Sequence, residues 1–93
     1  MPKATIAEWV TIDQESVAHG VQEAGEKLNG SEGEVILDFS AVRRVDPGAL
    51  REMEKLAGVA DGKAVKIGLR GVNIDIYKVL KLVKLAPRFS FLA

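Results

Sequence analysis

Asp38, Ser40 and Asp46 stand close together near the middle of this 93-residue chain. Two carboxylates at that spacing could share a proton or hold Mg²⁺, and the serine between them could accept a phosphate carrying about two negative charges. Each also has a plainer reading. Asp38 ends an apolar run, where its carboxylate bonds to the backbone of the next turn, and Ser40 is a turn-forming serine. Asp46 opens "DPGAL", residues 46–50, where an aspartate followed by proline marks the start of a helix. Asp46 is therefore first an N-cap, worth about 1 kcal/mol, and second a contact for a partner. Gly48 costs around 1 kcal/mol relative to alanine inside a helix. Either something approaches its backbone closely, or the helix begins one residue later.

Beyond this stretch the chemistry is sparse. There is one histidine and no cysteine, so disulfides and thiolate metal sites are excluded and a zinc or histidine-based centre is not expected. His19 falls off the apolar stripe of its helix and reads as solvated. Trp9 reads as a core or edge-covering side chain. Lys78, Lys81 and Lys84 recur every three residues, with Lys66 and Arg70 near them in sequence. They are either a basic strip for an acidic partner or a solvated helix face with cations at its negative end. Thirteen basic and thirteen acidic side chains cancel, so no net charge draws the chain to nucleic acid or to an anionic membrane. No apolar run approaches membrane-spanning length, and the N-terminus does not read as a signal sequence. The default reading is a small cytoplasmic protein forming a single domain over 1–93. A chain of this length buries roughly two thirds of its unfolded surface in one core.

The elements that must position these residues follow from periodicity. "ATIAEWV", residues 4–10, reads as a strand. Asp13 is the expected cap of a first helix with Val17, Val21, Ala24 and Leu28 on its inner face. "NGSEG", residues 29–33, turns the chain into "EVILDFS", whose unbroken Val35, Ile36 and Leu37 suit a central strand covered on both sides. After Asp46 and Pro47, the residues Ala49, Leu50, Met53, Leu56, Ala57 and Ala60 repeat at helical spacing, with "DGK" expected to close that helix. "AVKIGLR", residues 64–70, alternates apolar and polar, a strand with one wet face. Asn73 caps a third helix with Ile76, Val79, Leu80 and Val83 inward, Pro87 ends it, and "RFSFL" gives a last strand with Phe89 and Phe91 on one side. The order strand, helix, strand, helix, strand, helix, strand predicts an α/β fold. We expect a mostly parallel sheet of four to five strands with about three helices, mainly on one face.

"GEVILDFSAVRRVDPGAL", residues 33–50, resembles the STAS domain shared by sulfate transporters and bacterial anti-sigma-factor antagonists. "DGKAVKIGLRGVNIDIYKVLKLVKL" is similar to that family's later turn, strand and final helix, and the likeness spans about residues 11–92. It implies a non-enzymatic signalling module in transcription regulation, with no cofactor and no metal. Its partner would be a protein, such as an anti-sigma kinase, contacted through Asp38, Ser40, Asp46, Pro47, Gly48, Ala49 and Arg51. Phosphorylation switches of the family carry Asp-Ser-Ser/Thr-Gly at the turn. Here Gly48 occupies the acceptor position, so no phosphoacceptor is expected there. The second helix reads about one turn short for the family, and the opening strand region is sparse. Such an edge could leave the chain able to form a homodimer.

Other functions fit less well. The resemblance also admits a small cytoplasmic subunit of a phospholipid-transport ABC system, which genomic neighbours would separate from sigma regulation. An enzyme would need a phosphate loop, a nucleophile with a base, or a metal-ligand cluster, and none of these is legible. The chain is read as a non-enzyme that binds neither nucleic acid nor the membrane interior.

Overall fold

The structure, a computed structural model, describes residues 6–28 and 33–92. Four strands alternate with three helices: β1 Ile6–Thr11, α1 Val17–Lys27, β2 Glu34–Asp38, α2 Pro47–Lys63, β3 Lys66–Arg70, α3 Ile74–Leu82 and β4 Ser90–Leu92. Short 3₁₀ turns precede α1 at Gln14–Ser16 and β4 at Ala86–Arg88. All strand pairs are parallel, and their spatial order is their chain order, β1-β2-β3-β4. Right-handed crossovers that always step the same way put every helix on one face, as the half-wet β3 pattern implied.

The register makes that division explicit. Val10, Leu37, Leu69 and Phe91 lie side by side and point into the helical layer. Val17, Val21, Ala24 and Leu28 of the first helical stripe and Ala49, Met53, Leu56, Ala57 and Ala60 of α2 are buried against them. Among the described residues every buried side chain is apolar.

The other face of the sheet has no helix, and here the expectation for β2 needs refinement. Ile36 is buried, but by its neighbours in the sheet, not by a second helical layer. Trp9 flanks it on β1 and Gly68 on β3. A Cβ at position 68 would lie 2.8 Å from Ile36 Cδ1 and 3.4 Å from Leu92 Cδ1, so the glycine lets these side chains lean across the sheet. Trp9 itself is 50% exposed and covers this edge, with the Arg70 guanidinium 5.8 Å from its ring centre.

Several element boundaries differ from the sequence reading. Asp13 precedes the 3₁₀ turn and makes no side-chain cap; the helix proper starts at Val17. Residues 4 and 5 of the first expected strand and 29–32 of the expected turn lie outside the described residues. "DGK" does not close α2 but forms its last turn, so the helix has 17 residues. It stops at Ala64, which takes the left-handed conformation at φ 57°, while the Val65 N–H donates to the Ala60 carbonyl. The third helix stops at Leu82, before Pro87, through the same device: Lys84 sits at φ 65° and the Leu85 N–H returns to Leu80. Val83 consequently faces outward, and Leu85 takes the buried place expected for it.

Candidate functional site

The carboxyl ends of β1, β2 and β3 lie together, and the connections leaving them build one surface. The ladder runs one residue past the strands, with the Ile12 N–H donating to the Asp38 carbonyl at 3.0 Å and the Phe39 N–H to the Arg70 carbonyl at 2.7 Å. Phe39 and Val42 then drop into the core, anchoring the long connection from β2 to α2 between them. The Val42 N–H closes a turn on the Phe39 carbonyl at 2.9 Å. Ser40 and Ala41 are the exposed tip of that turn.

Asp38 holds the turn from the strand side. Its Oδ1 accepts the Ser40 N–H at 2.9 Å and the Ser40 hydroxyl as well. The Arg70 guanidinium lies 3.6 Å from the other carboxylate oxygen and donates to Ser40 Oγ at 3.3 Å. The hydroxyl and backbone bonds from Ser40 hold the Asp38 carboxyl below its ordinary value, against the opposing effect of burial, with a lesser contribution from the Arg70 charge. Asp38 is thus an ionised turn-forming residue. The reading in which it bonds to the following backbone holds, and its partners are Ser40 and Arg70. Gly71, at φ 75°, passes directly under this turn: a Cβ there would stand 2.5 Å from Ser40 Oγ and 2.9 Å from its backbone. Only glycine meets both demands.

Residues 42–44 run between two amide side chains. From the β1 side, Gln14 Oε1 accepts the N–H groups of Arg43 and Arg44, and its Nε2 donates to the Arg44 carbonyl at 3.1 Å. From the β3 side, Asn73 Nδ2 donates to the Arg43 carbonyl at 3.0 Å and the Val42 carbonyl at 3.5 Å. Neither clamp was visible in the sequence, because each joins residues about thirty positions apart. The Asn73 Oδ1 meanwhile accepts the Ile76 N–H at 2.8 Å, the helix cap that was expected.

Asp46 then caps α2, its Oδ1 accepting the Ala49 N–H at 2.8 Å. The helix does begin at Pro47, so the alternative of a later start for Gly48 falls. No close approach requires the glycine either: a Cβ there would meet only Asp46 Oδ1, at an ordinary 3.4 Å. Of the proposed contact residues, Ser40, Asp46, Pro47 and Arg51 are exposed, and Asp38 and Gly48 are partly so. Ala49 is 1% exposed, so its side chain belongs to the core and its N–H to the cap. Beside Asp46 an open cleft of about 500 Å³ lies between Arg44, Val45 and the first turn of α1, with Gln14, Ser16 and His19 on its rim. His19 is exposed, as expected, 3.5 Å from Glu23 on its own helix. Among the described residues no group of three histidine, cysteine or acidic side chains is placed to hold a metal ion. No helix among them is long and apolar enough to cross a membrane.

No family model and no curated protein sequence matches the chain. A solved structure does: that of a candidate anti-sigma factor antagonist from Thermotoga maritima, with a TM-score of 0.63 over 98% of this chain and 74% of the other. Only 17% of residues are identical, so the likeness is one of fold. The α/β fold is STAS-like, in agreement with the resemblance carried by residues 33–50.

Proposed function

We propose that this chain is a non-enzymatic docking module of STAS type, which presents the β2–α2 connection and the first turn of α2 to a regulatory protein partner. The observation that carries the reading is the double clamp on residues 42–44. Gln14 and Asn73 fix the backbone of an exposed connection from both sides, which lowers the ordering cost of binding through it. The groups so presented are Ser40, Asp46, Pro47 and Gly48, with Arg44 and the 500 Å³ cleft beside Asp46, and Arg51 one turn further along α2.

Docking at this surface is not gated by phosphate at position 48. Glycine and proline carry no hydroxyl, and the Asp46 carboxylate already covers the first helical amides in the manner of a fixed anion. The module is constitutively competent, and its regulation comes from the amount or state of the partner.

Gly48→Asp tests the surface with little risk to the fold. The position has room for a Cβ, and an acidic residue in the first helical turn suits the helix dipole. Wild type and variant are immobilised side by side and exposed to lysate of the source cells. A protein retained by wild type and lost from Gly48→Asp is the expected result; identical captures place the docking surface elsewhere. Incubating the captured partner with the chain and ATP should leave residues 46–49 unmodified by mass spectrometry, and phosphate found there would overturn the ungated reading.

A further inference from the structure

The zero net charge conceals a division. Residues 1–40 contain eight acidic and two basic side chains, and residues 41–93 contain eleven basic and five acidic. In most folds such a difference is scrambled by topology. Here the strands lie in space in their chain order, so the division becomes one between the two edges of the molecule. Helix α1 packs on β1, β2 and α2, while α3 serves the opposite edge, where Tyr77 meets the Phe91 ring of β4 edge-on at 5.1 Å.

Each edge carries an exposed helical face. On α3, Ile74 is 69% exposed and Leu82 is 80% exposed, about 12 Å apart along the helix, with Lys78 and Lys81 between them and Lys84 just beyond. Among the described residues no carboxylate lies within ion-pair distance of these three lysines. The face thus offers a partner both basic groups and exposed aliphatic side chains. On α1, Glu23 and Glu26 form an exposed acidic row, with the neutral Gln22 beside them. Beside that row, a groove of about 330 Å³ runs between α1 and α2, with Val21, Leu56 and Val59 in it, Glu26 and Glu52 at its rim, and Lys55 beside Glu52 at 3.5 Å.

The geometry points to association of copies of this chain head to tail, the outer face of α3 on one copy seating on the acidic row of α1 and the α1–α2 groove of the next. The occupant is chosen by charge. A symmetric dimer through α3 would oppose Lys78, Lys81 and Lys84 to themselves, and one through α1 would oppose Glu23 and Glu26. Only the unlike pairing puts ammonium groups against carboxylates while giving Leu82 an apolar groove. Because the two surfaces differ, the contact is heterologous, and repeating it yields open chains whose length rises with concentration. One helix face is a small interface, so the association is weak and reversible. This surface is separate from the β2–α2 connection, and the inference stands whether or not that connection binds a partner.

Sedimentation velocity over a concentration series tests the arrangement. Wild type is expected to show a mean mass that climbs with concentration. Raising sodium chloride from about 0.1 M to about 1 M shortens the screening length from about 10 Å to about 3 Å, and should weaken the association about tenfold or more. Lys78→Glu with Lys81→Glu should give monomers, as should Glu23→Lys with Glu26→Lys, all four positions being exposed and tolerant of exchange. Mixed in equal amounts, the two double variants should associate again, since each then offers the other an unlike pair. Leu82→Gln should weaken assembly without altering its salt dependence. Wild type that stays monomeric throughout, a discrete dimer indifferent to salt, or reversed variants that fail to associate on mixing would each overturn the inference. So would a wild type that stays monomeric yet co-sediments with phosphatidylglycerol vesicles through the three lysines, because that result would assign the α3 face to an anionic lipid surface.

Discussion

The connections that enter α2 and α3 solve the same problem with different side chains. Each helix is opened by a residue whose side-chain oxygen accepts the N–H three positions on, at 2.8 Å in both cases. Asp46 can only accept, so its influence ends within its own helix. Asn73 carries two donors besides its oxygen, and these reach across to the Val42 and Arg43 carbonyls. The residue that looks most like a functional group in the sequence is therefore a local device. The quieter asparagine ties the candidate site to the neighbouring connection.

The largest expected effect lies where the two connections touch. Gly71→Ala combines a left-handed backbone, costing a side chain about 1–2 kcal/mol, with displacement of Ser40, for a total of about 3 kcal/mol. Urea unfolding monitored by tryptophan fluorescence measures it. A loss below about 1 kcal/mol would mean that the two connections give way easily, and that the clamps do not hold a defined surface.

The comparison itself is sharpened by exchanging the capping residues. As N-caps, asparagine and aspartate are nearly equivalent, so Asp46→Asn should change stability by only a few tenths of a kcal/mol. Asn73→Asp keeps an acceptor for the Ile76 N–H but sets a carboxylate against two carbonyl oxygens, and should cost at least as much as Asn73→Ala. That second change loses a cap and the cross-connection bonds, about 2 kcal/mol in all, or roughly 10 °C in melting temperature. Equal tolerance of aspartate at 46 and 73 would break the distinction. Gln14→Ala combined with Asn73→Ala should be non-additive, since both hold Arg43. A smaller loss, about 1 kcal/mol, is expected for Asp46→Ala, without change at the clamps.

These differences also explain how much was legible in the sequence. Both caps were, because a cap joins residues three apart and the spacing is written in the chain. The four-strand order and the single helical layer were too, since Val17, Val21, Ala24 and Leu28 mark one face, and the alternation through β3 marks the other as wet. The helix ends were not. Gly62 and Pro87 look like the stops, whereas the chain actually turns at Ala64 and Lys84, two residues that tolerate a left-handed backbone once the Val65 and Leu85 amides bond back to the helix. Asp13 carries a capping side chain, but the 3₁₀ turn after it leaves that cap unmade. Gln14 is invisible for a further reason. A glutamine that copies a strand's hydrogen bonds with its side-chain amide has no periodicity, and its partners are supplied by topology. The cleft beside Asp46 likewise joins Arg44 and Val45 to the start of α1, a juxtaposition that no local pattern marks.

The smallest predicted effect separates Asp38 from Asp46 by titration. The Asp38 carboxyl is held below its ordinary 3.8, chiefly by the two bonds from Ser40 and then by Arg70. A depressed folded value means that the unfolded chain binds the proton more readily. The associated stability is present above the unfolded value and is lost as pH falls toward and through the folded one. Wild type should therefore lose stability on acidification below about pH 4 more steeply than Asp38→Asn, which cannot titrate there. Ser40→Ala removes the leading cause, the hydroxyl bond, while keeping the backbone N–H bond and Arg70, and should return part of the Asp38 shift and flatten the same limb. Carbon-detected NMR titration of the Asp38 carboxyl in wild type and Ser40→Ala reads the change directly. If the Asp38 midpoint in Ser40→Ala matches wild type, the hydroxyl contributes nothing, and the carboxylate is held by the backbone N–H of residue 40 and by Arg70.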